Sequence, residues 1–340
     1  MSINAPFTVA IAGFGWWGKQ FAARLSGHPY IRVAGIVEPM EGNHPAIHEM
    51  GLRLWLDLSE PLALDEIDAI ILTTPNSLHE AQVIACAKAG KHVFCEKPLG
   101  LTAASARRSA AACLDAGVQL GIGHERRFEP AMQALKADID QGALGTIMHA
   151  EAAFSHDKLI HVPANDWRTR RSVAPAAGMT GMGIHLTDLL ISFFGPVNMV
   201  QAITTDRSLG WETGDVVTAQ LQFEAGMTAT LSAILHTPLF LRMHVFGSAK
   251  WMEIINECHP DEQGGTVNAA TSVTGHPITH RRFSWTDTVI RNLEAFAAAV
   301  CGEESYPFTM EQIVHNIEVL EAIALAAERR NTVFISEMKG

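Results

Sequence analysis

Phe7-Thr-Val-Ala-Ile-Ala-Gly13-Phe-Gly15-Trp-Trp-Gly18 is an apolar run that passes directly into the pattern G-x-G-x-x-G. A run without alternation reads as a strand buried on both faces, and the segment after the glycines reads as a helix. In that strand-to-helix setting the pattern is a dinucleotide-binding fingerprint; standing alone it carries little. Gly13 permits the tight turn, Gly15 lets the backbone approach a pyrophosphate, and Gly18 lets the helix pack close to the sheet, while the helix N-terminus attracts the phosphates. Phe14, Trp16 and Trp17 fill the other places of the loop and count with the glycines as cofactor-side candidates. Glu38 closes the second apolar run, 20 residues beyond Gly18, where an acid hydrogen-bonds the adenosine ribose. No arginine follows closely enough to hold a 2′-phosphate, so NAD is expected in preference to NADP. The competing reading is a structural glycine turn with Glu38 as a surface carboxylate.

Outward from this loop, residues 1–122 alternate short apolar runs with helix-compatible segments. The runs are Phe7–Ala12, Ile31–Val37, 67–73, His92–Cys95 and 118–122. Such alternation predicts right-handed βαβ units and a mainly parallel sheet. One intervening helix is expected over 78–89, stopping at Gly90, and another after the N-cap Thr102. From residue 123 onward the texture changes. A helix over 128–141 and a strand over 146–154 precede an irregular stretch, 155–183, long enough to read as a binding loop. The helix Gly183–Phe194 is followed by alternating segments at Val197–Thr205, 215–223, 227–233, 241–246 and 251–255, which predict an antiparallel meander. Residues 263–275 read as a mobile loop. Two helices close the chain, the second opened by the capping box Thr309-x-x-Gln312. The expected division is a dinucleotide-binding domain over 1–122 and a substrate-binding domain over 123–340.

The 340 residues are enough for two such domains. A formal charge of −11 without a basic arm argues against nucleic-acid binding. The five scattered cysteines, none in C-x-x-C spacing, argue for a reducing compartment and against structural zinc. No apolar run reaches the roughly 18 residues of a membrane span, and the N-terminus lacks a signal-peptide pattern. A cytoplasmic setting is expected, with no membrane partner.

Lys91-His-Val-Phe-Cys-Glu-Lys-Pro98 sets Glu96, Lys97 and Pro98 immediately after a buried-strand run, where open α/β sheets hold their ligands. Thr73-Thr74-Pro75-Asn76-Ser77 ends the third long run in the same way. Its hydroxyls and bent backbone suit a cofactor cleft, and Asn76 or Ser77 equally suits an N-cap.

These pieces together resemble the Gfo/Idh/MocA oxidoreductases. The resemblance rests on Gly13–Gly18, Thr74-Pro75-Asn76 with His79, Lys91–Pro98, Arg126-Arg127-Phe128, Gly142-Ala-Leu-Gly145, Trp167-Arg168 and Gly183-Ile-His185 with Asp188. It implies an α/β Rossmann domain followed by an α+β domain with a large open, mainly antiparallel sheet. The outer face of that sheet is expected to make a homodimer or homotetramer. It also implies nicotinamide-dependent hydride transfer on a secondary alcohol of a sugar, cyclitol or dihydrodiol, and a cis Lys97–Pro98 bond. Lys97 and His185 match the family's catalytic lysine and histidine. A lysine near the reacting oxygen stabilises alkoxide charge or relays a proton, and a histidine titrates in the right range for general acid/base work. Their bland readings are a surface ion pair with Glu96 and a helix-capping histidine. By the same resemblance Thr74, Pro75, Asn76, His79, Glu96 and Arg168 are cofactor-side candidates, and Arg126, Trp167 and Thr180 are substrate-side candidates. No metal is expected, because His156, Asp157 and His161 lack a ligand spacing.

One departure stands out. Many members carry an Asp four residues before the histidine, and this chain has Gly181. Thr180, Asp166 or Asp188 could substitute for it, the substrate could lack the matching hydroxyl, or catalysis could have been lost. The last case would leave a non-catalytic dinucleotide-binding sensor or scaffold.

Overall fold

The structure is a computed structural model that describes residues 6–339. The first five residues and Gly340, included in the expected domain ranges, lie outside the described residues. The chain divides into two compact units, Met1–His124 with Val289–Val314, and Glu125–Thr288 with His315–Gly340.

The first unit is built from β1 (Phe7–Ala12), α1 (Trp16–Arg24), β2 (Ile31–Val37), α2 (His44–Glu49), β3 (Arg53–Trp55), α3 (Ser59–Leu62), β4 (Ala69–Leu72), α4 (His79–Lys88), β5 (His92–Cys95), α5 (Ala103–Ala116) and β6 (Leu120–Ile122). The sheet is parallel throughout in the order β3-β2-β1-β4-β5-β6. β1 and β4 are wholly buried, which is why their sequences do not alternate. Chain direction across the sheet reverses at β1, between β2 and β4, so the carboxyl ends of β1 and β4 border the crevice where such sheets bind ligands. Local chemistry sets the helix ends. Thr102 accepts from the Ser105 N–H at 3.1 Å in a capping box, and α4 is followed by Gly90 at φ +69. β3 escapes sequence reading because three residues are too few to show a period.

The second unit carries α6 (Pro130–Asp140), β7 (Ile147–Ser155), α7 (Gly183–Phe194), β8 (Val197–Thr205), β9 (Val216–Phe223), β10 (Thr228–Ile234), β11 (Phe240–Gly247), β12 (Lys250–Asn256), β13 (Thr266–Val273) and β14 (Thr279–Ser284). α8 (Thr288–Val300) and α9 (Met310–Arg329) follow, and β15 (Val333–Phe334) completes a nine-stranded sheet in the order β14-β13-β12-β11-β7-β10-β9-β8-β15. Only the β7–β10 pair in it is parallel. Its inner face buries Phe154, Leu221, Leu231, Met243 and Ile254, while Gln201, Thr218 and Gln220 alternate onto the outer face.

The structure departs from the sequence expectation in two places. The stretch 263–275 is not a loop: most of it is β13, paired to β12 and β14. Its small and polar residues, with Val267 and Ala269 as the buried pair, hide the strand period. Nor does everything after residue 122 form the second domain. α8 presents Val289, Leu293, Phe296 and Ala297 to the same core as Phe7, Phe21 and Phe94. No helix among the described residues is long and apolar enough to cross a membrane.

Candidate functional site

In the first unit the glycine loop has the geometry its sequence requires. Gly13 sits at φ +93, a region that L side chains rarely enter. A Cβ on Gly18 would stand 2.1 Å from the Gly13 carbonyl oxygen, so only glycine lets α1 approach the turn. A Cβ on Gly15 would meet nothing within 4 Å, which leaves that face of the loop open to a ligand. Thr73 ties the ends of β1 and β4 together, its hydroxyl donating to the carbonyls of Ala12 and Gly13 at 3.0 and 2.9 Å. Glu38 is buried and not a surface carboxylate. It accepts from the N–H of Phe14 at 2.9 Å, the N–H of Met40 at 2.8 Å and the Asn43 amide at 3.2 Å. Phe14 turns its ring into the core, Trp17 packs on Phe21, and Trp16 is 53% exposed.

Beyond β5, Glu96 is buried against Gly123, where a Cβ would come within 2.7 Å of its carboxylate. The Lys97 N–H donates to Glu96 at 3.2 Å, the Lys97 side chain is half-buried, and the Lys97–Pro98 bond is cis. Thr74 and Pro75 flank the turn after β4, with Asn76 buried beneath it. His79 is wholly buried, with Nδ1 2.7 Å from the Pro98 carbonyl and Nε2 2.9 Å from the Thr74 carbonyl. Burial pulls its pKa below the ordinary histidine value, against the two carbonyls. His79 therefore joins the Lys97–Pro98 turn to the Thr74 turn from behind; the expected cofactor contact is not one its sealed ring offers.

His185 belongs to the second unit, in the first turn of α7 and 4% exposed. Its Nδ1 lies 3.6 Å from Oε2 of Glu125, and its ring centroid lies 6.3 Å from that of Phe154 on β7. Phe154 also neighbours His156, His259 and the Arg126 guanidinium. Arg126 is 1% exposed and matched by Glu129 at 2.7 Å and Asn256 at 3.3 Å, so its charge is answered inside the unit. Asp188 forms a buried two-point pair with Arg127 at 2.7 and 2.8 Å. Asp166 caps the turn Trp167–Thr169 and pairs with Arg168, which stacks over Trp167 at 4.3 Å. Thr180 is buried, its hydroxyl donating to the Pro175 carbonyl at 3.0 Å. Gly181 is exposed, and a Cβ there would meet nothing within 4 Å. Sequence reasoning did not bring Glu125 to His185, nor His156 and His259 to the Phe154 ring that His185 also neighbours. Among the described residues no cluster of His, Cys, Asp and Glu could hold a metal ion.

A family model described as an oxidoreductase family with an NAD-binding Rossmann fold matches residues 7–124, and a GFO/IDH/MocA C-terminal domain model matches residues 132–253. A D-xylose 1-dehydrogenase (NADP(+)) from Haloferax volcanii is 31% identical over 325 residues, 93% of this chain and 95% of the relative. A trans-1,2-dihydrobenzene-1,2-diol dehydrogenase from Mus musculus is 30% identical over 205 residues, 60% of each chain. Against three curated relatives, the mouse enzyme among them, the chain spans only 39% to 66% of the relative's length. An aldose-aldose oxidoreductase from Caulobacter crescentus, solved with glycerol, superposes with a TM-score of 0.86 at 22% identity, covering 97% of this chain and 100% of that one. At that identity the likeness shows the fold.

Proposed function

Because the chain belongs to the GFO/IDH/MocA oxidoreductase family, we propose that it is a nicotinamide-dependent dehydrogenase or reductase. Its substrate is a secondary alcohol of a sugar, cyclitol or related polyhydroxylated small molecule. The observation that carries this reading is the placement, at the carboxyl ends of one parallel sheet, of an open glycine turn after β1 and a half-buried lysine after β5. Relatives named for xylose, apiose and a dihydrodiol support a substrate with neighbouring hydroxyls.

The bound nicotinamide supplies or takes the hydride. Gly13, Gly15, Gly18 and Glu38 hold the dinucleotide, with Thr74, Pro75, Asn76 and Glu96 lining its place. The buried Glu38 carboxylate favours NAD, since a 2′-phosphate would bring a second negative charge to the same strand end. Lys97 stabilises the alkoxide charge, and His185 holds or moves the hydroxyl proton. Trp167 contributes on the substrate side and Arg168, stacked over it, on the cofactor side. The outer face of the second unit's sheet exposes Ile203, Phe240 and Phe334, which supports a homodimer or homotetramer through that face; a monomer in light scattering would remove this part.

The deciding experiment follows NADH absorbance across sugars, inositols, sugar acids and dihydrodiols. Lys97→Ala is expected to keep dinucleotide affinity and lose about 100-fold or more in kcat. Unchanged turnover overturns the role of Lys97. Dinucleotide binding with no turnover on the whole panel points to the sensor reading that Gly181 favours.

A further inference from the structure

We propose that Glu125 is the positioning residue for His185, supplying from a distant part of the sequence the carboxylate that position 181 lacks. The inference rests on the reading of His185 as the proton-handling group.

Glu125 opens the 3-10 turn Glu125–Phe128, 60 residues upstream of His185. Its Oε2 stands 3.6 Å from His185 Nδ1, and the two residues are 8% and 4% exposed. That distance is beyond a good hydrogen bond but well inside the range where opposite charges interact strongly away from bulk water. The other acids on nearby elements have different work. Glu129 answers Arg126, and Asp188 answers Arg127 through both oxygens. Asp166 is taken by Arg168, and the Thr180 hydroxyl by the Pro175 carbonyl. Glu125 brings a carboxylate within ion-pair reach of the His185 ring. A carboxylate on the Nδ1 side holds the imidazole in one orientation and leaves Nε2 as the nitrogen that exchanges a proton. Position 181 itself carries no side chain, and a Cβ there would meet nothing within 4 Å.

Charged and titratable groups on the neighbouring elements include Glu125, Arg126, Arg127 and Glu129 around the 3-10 turn, His149 and Glu151 on β7, His156 after it and Asp188 on α7, with His259 beside Phe154. Replacing Glu125 by Gln keeps its size and removes one negative charge. The imidazolium then loses its stabilising neighbour, and His185 titrates at lower pH.

The test is an NMR titration of the full-length protein labelled at histidine, with the His185 signal assigned by its loss in His185→Asn. Glu125→Gln is expected to lower the His185 midpoint by about one pH unit, the range of a single close charge. Glu125→Asp, which keeps the charge on a shorter arm, is expected to recover part of the shift. A midpoint unchanged in Glu125→Gln overturns the proposal. Should that variant not fold, a midpoint in Glu125→Asp identical to the wild type overturns it instead. On a turned-over substrate, the pH limb of kcat moves in the same direction while KM holds. A fall in both without a moved limb marks a merely structural role and counts against the proposal. Full turnover in His185→Asn would remove the catalytic reading of His185, while the NMR midpoint would still decide whether Glu125 and His185 act as a pair.

Discussion

Gly15 and Gly18 stand three residues apart in one motif and answer to different constraints. Gly18 is held by the protein, because a Cβ there collides with the Gly13 carbonyl at 2.1 Å and comes within 3.0 Å of Thr73 Oγ1. Gly15 has an ordinary φ of −70 and open space around it. Gly18→Ala is therefore expected to cost about 1–3 kcal/mol in urea unfolding, in line with overpacking at a rigid contact. Gly15→Ala should stay within about 0.5 kcal/mol of the wild type while its NADH affinity falls at least roughly tenfold. Equal stability losses in the two variants would remove the ligand-facing role of Gly15. The placement of such residues was legible because residue type and spacing together imply a local geometry: the three glycines in their turn, and Glu38 and Lys97 just past the ends of their strands. Glu125 was not, because its partner lies 60 residues away and only the fold brings them together. His79 was legible as a motif member but not as a buried brace, since burial is a property of the surroundings.

The connection between β8 and β9 shows an acid working at the scale of an element. Asp215 is 1% exposed and accepts from the backbone N–H groups of Arg207, Ser208 and Leu209 at 2.9, 2.7 and 3.1 Å, and from the Ser208 hydroxyl. Burial acts to raise its pKa, but these donors outweigh it and hold the carboxyl below its usual value. The sign follows from linkage. A folded pKa below the unfolded one, about 3.9, gives stabilisation that is complete above that value and disappears as pH falls through the folded pKa. Asp215→Asn should cost about 1–3 kcal/mol at pH 7, with the deficit narrowing in melts taken toward acid pH. A deficit independent of pH would mean that the loop is shaped by packing and not by the charge. Elements were legible in proportion to the apolar contrast in their sequences. β1, β2 and β5 carry dense apolar runs and were read at their true limits. β13 offers mainly Val267 and Ala269 to the interior, and β3 has three residues, so neither produced a readable period.

The molecule's two-part division was legible near residue 123, but not the return of the chain to its first unit. Pattern reading follows order along the chain, and α8 lies more than 160 residues beyond β6. Its apolar stripe of Val289, Leu293, Phe296 and Ala297 has ordinary helical spacing and does not announce which core it serves. The contacts identify that core. Phe296 meets Phe7 at 6.0 Å and Phe94 at 5.6 Å, and the buried Asn292 amide donates to the Ile122 carbonyl at 2.8 Å. Burying Val289, Leu293 and Phe296 contributes about 1.5–3 kcal/mol each, a sum comparable with the whole stability of roughly 5–15 kcal/mol expected of a domain. Removal would also open the sheet face over Phe7 and Phe94 and strip the Ile122 carbonyl of a donor. A fragment ending at His124 is therefore expected to lack a cooperative unfolding transition in circular dichroism. The same fragment joined through a flexible linker to residues 286–314 should recover one, since Asn292 already lies against Ile122 and the linker need not be long. A cooperative melt from the short fragment alone would show that α8 decorates the dinucleotide-binding sheet without completing it.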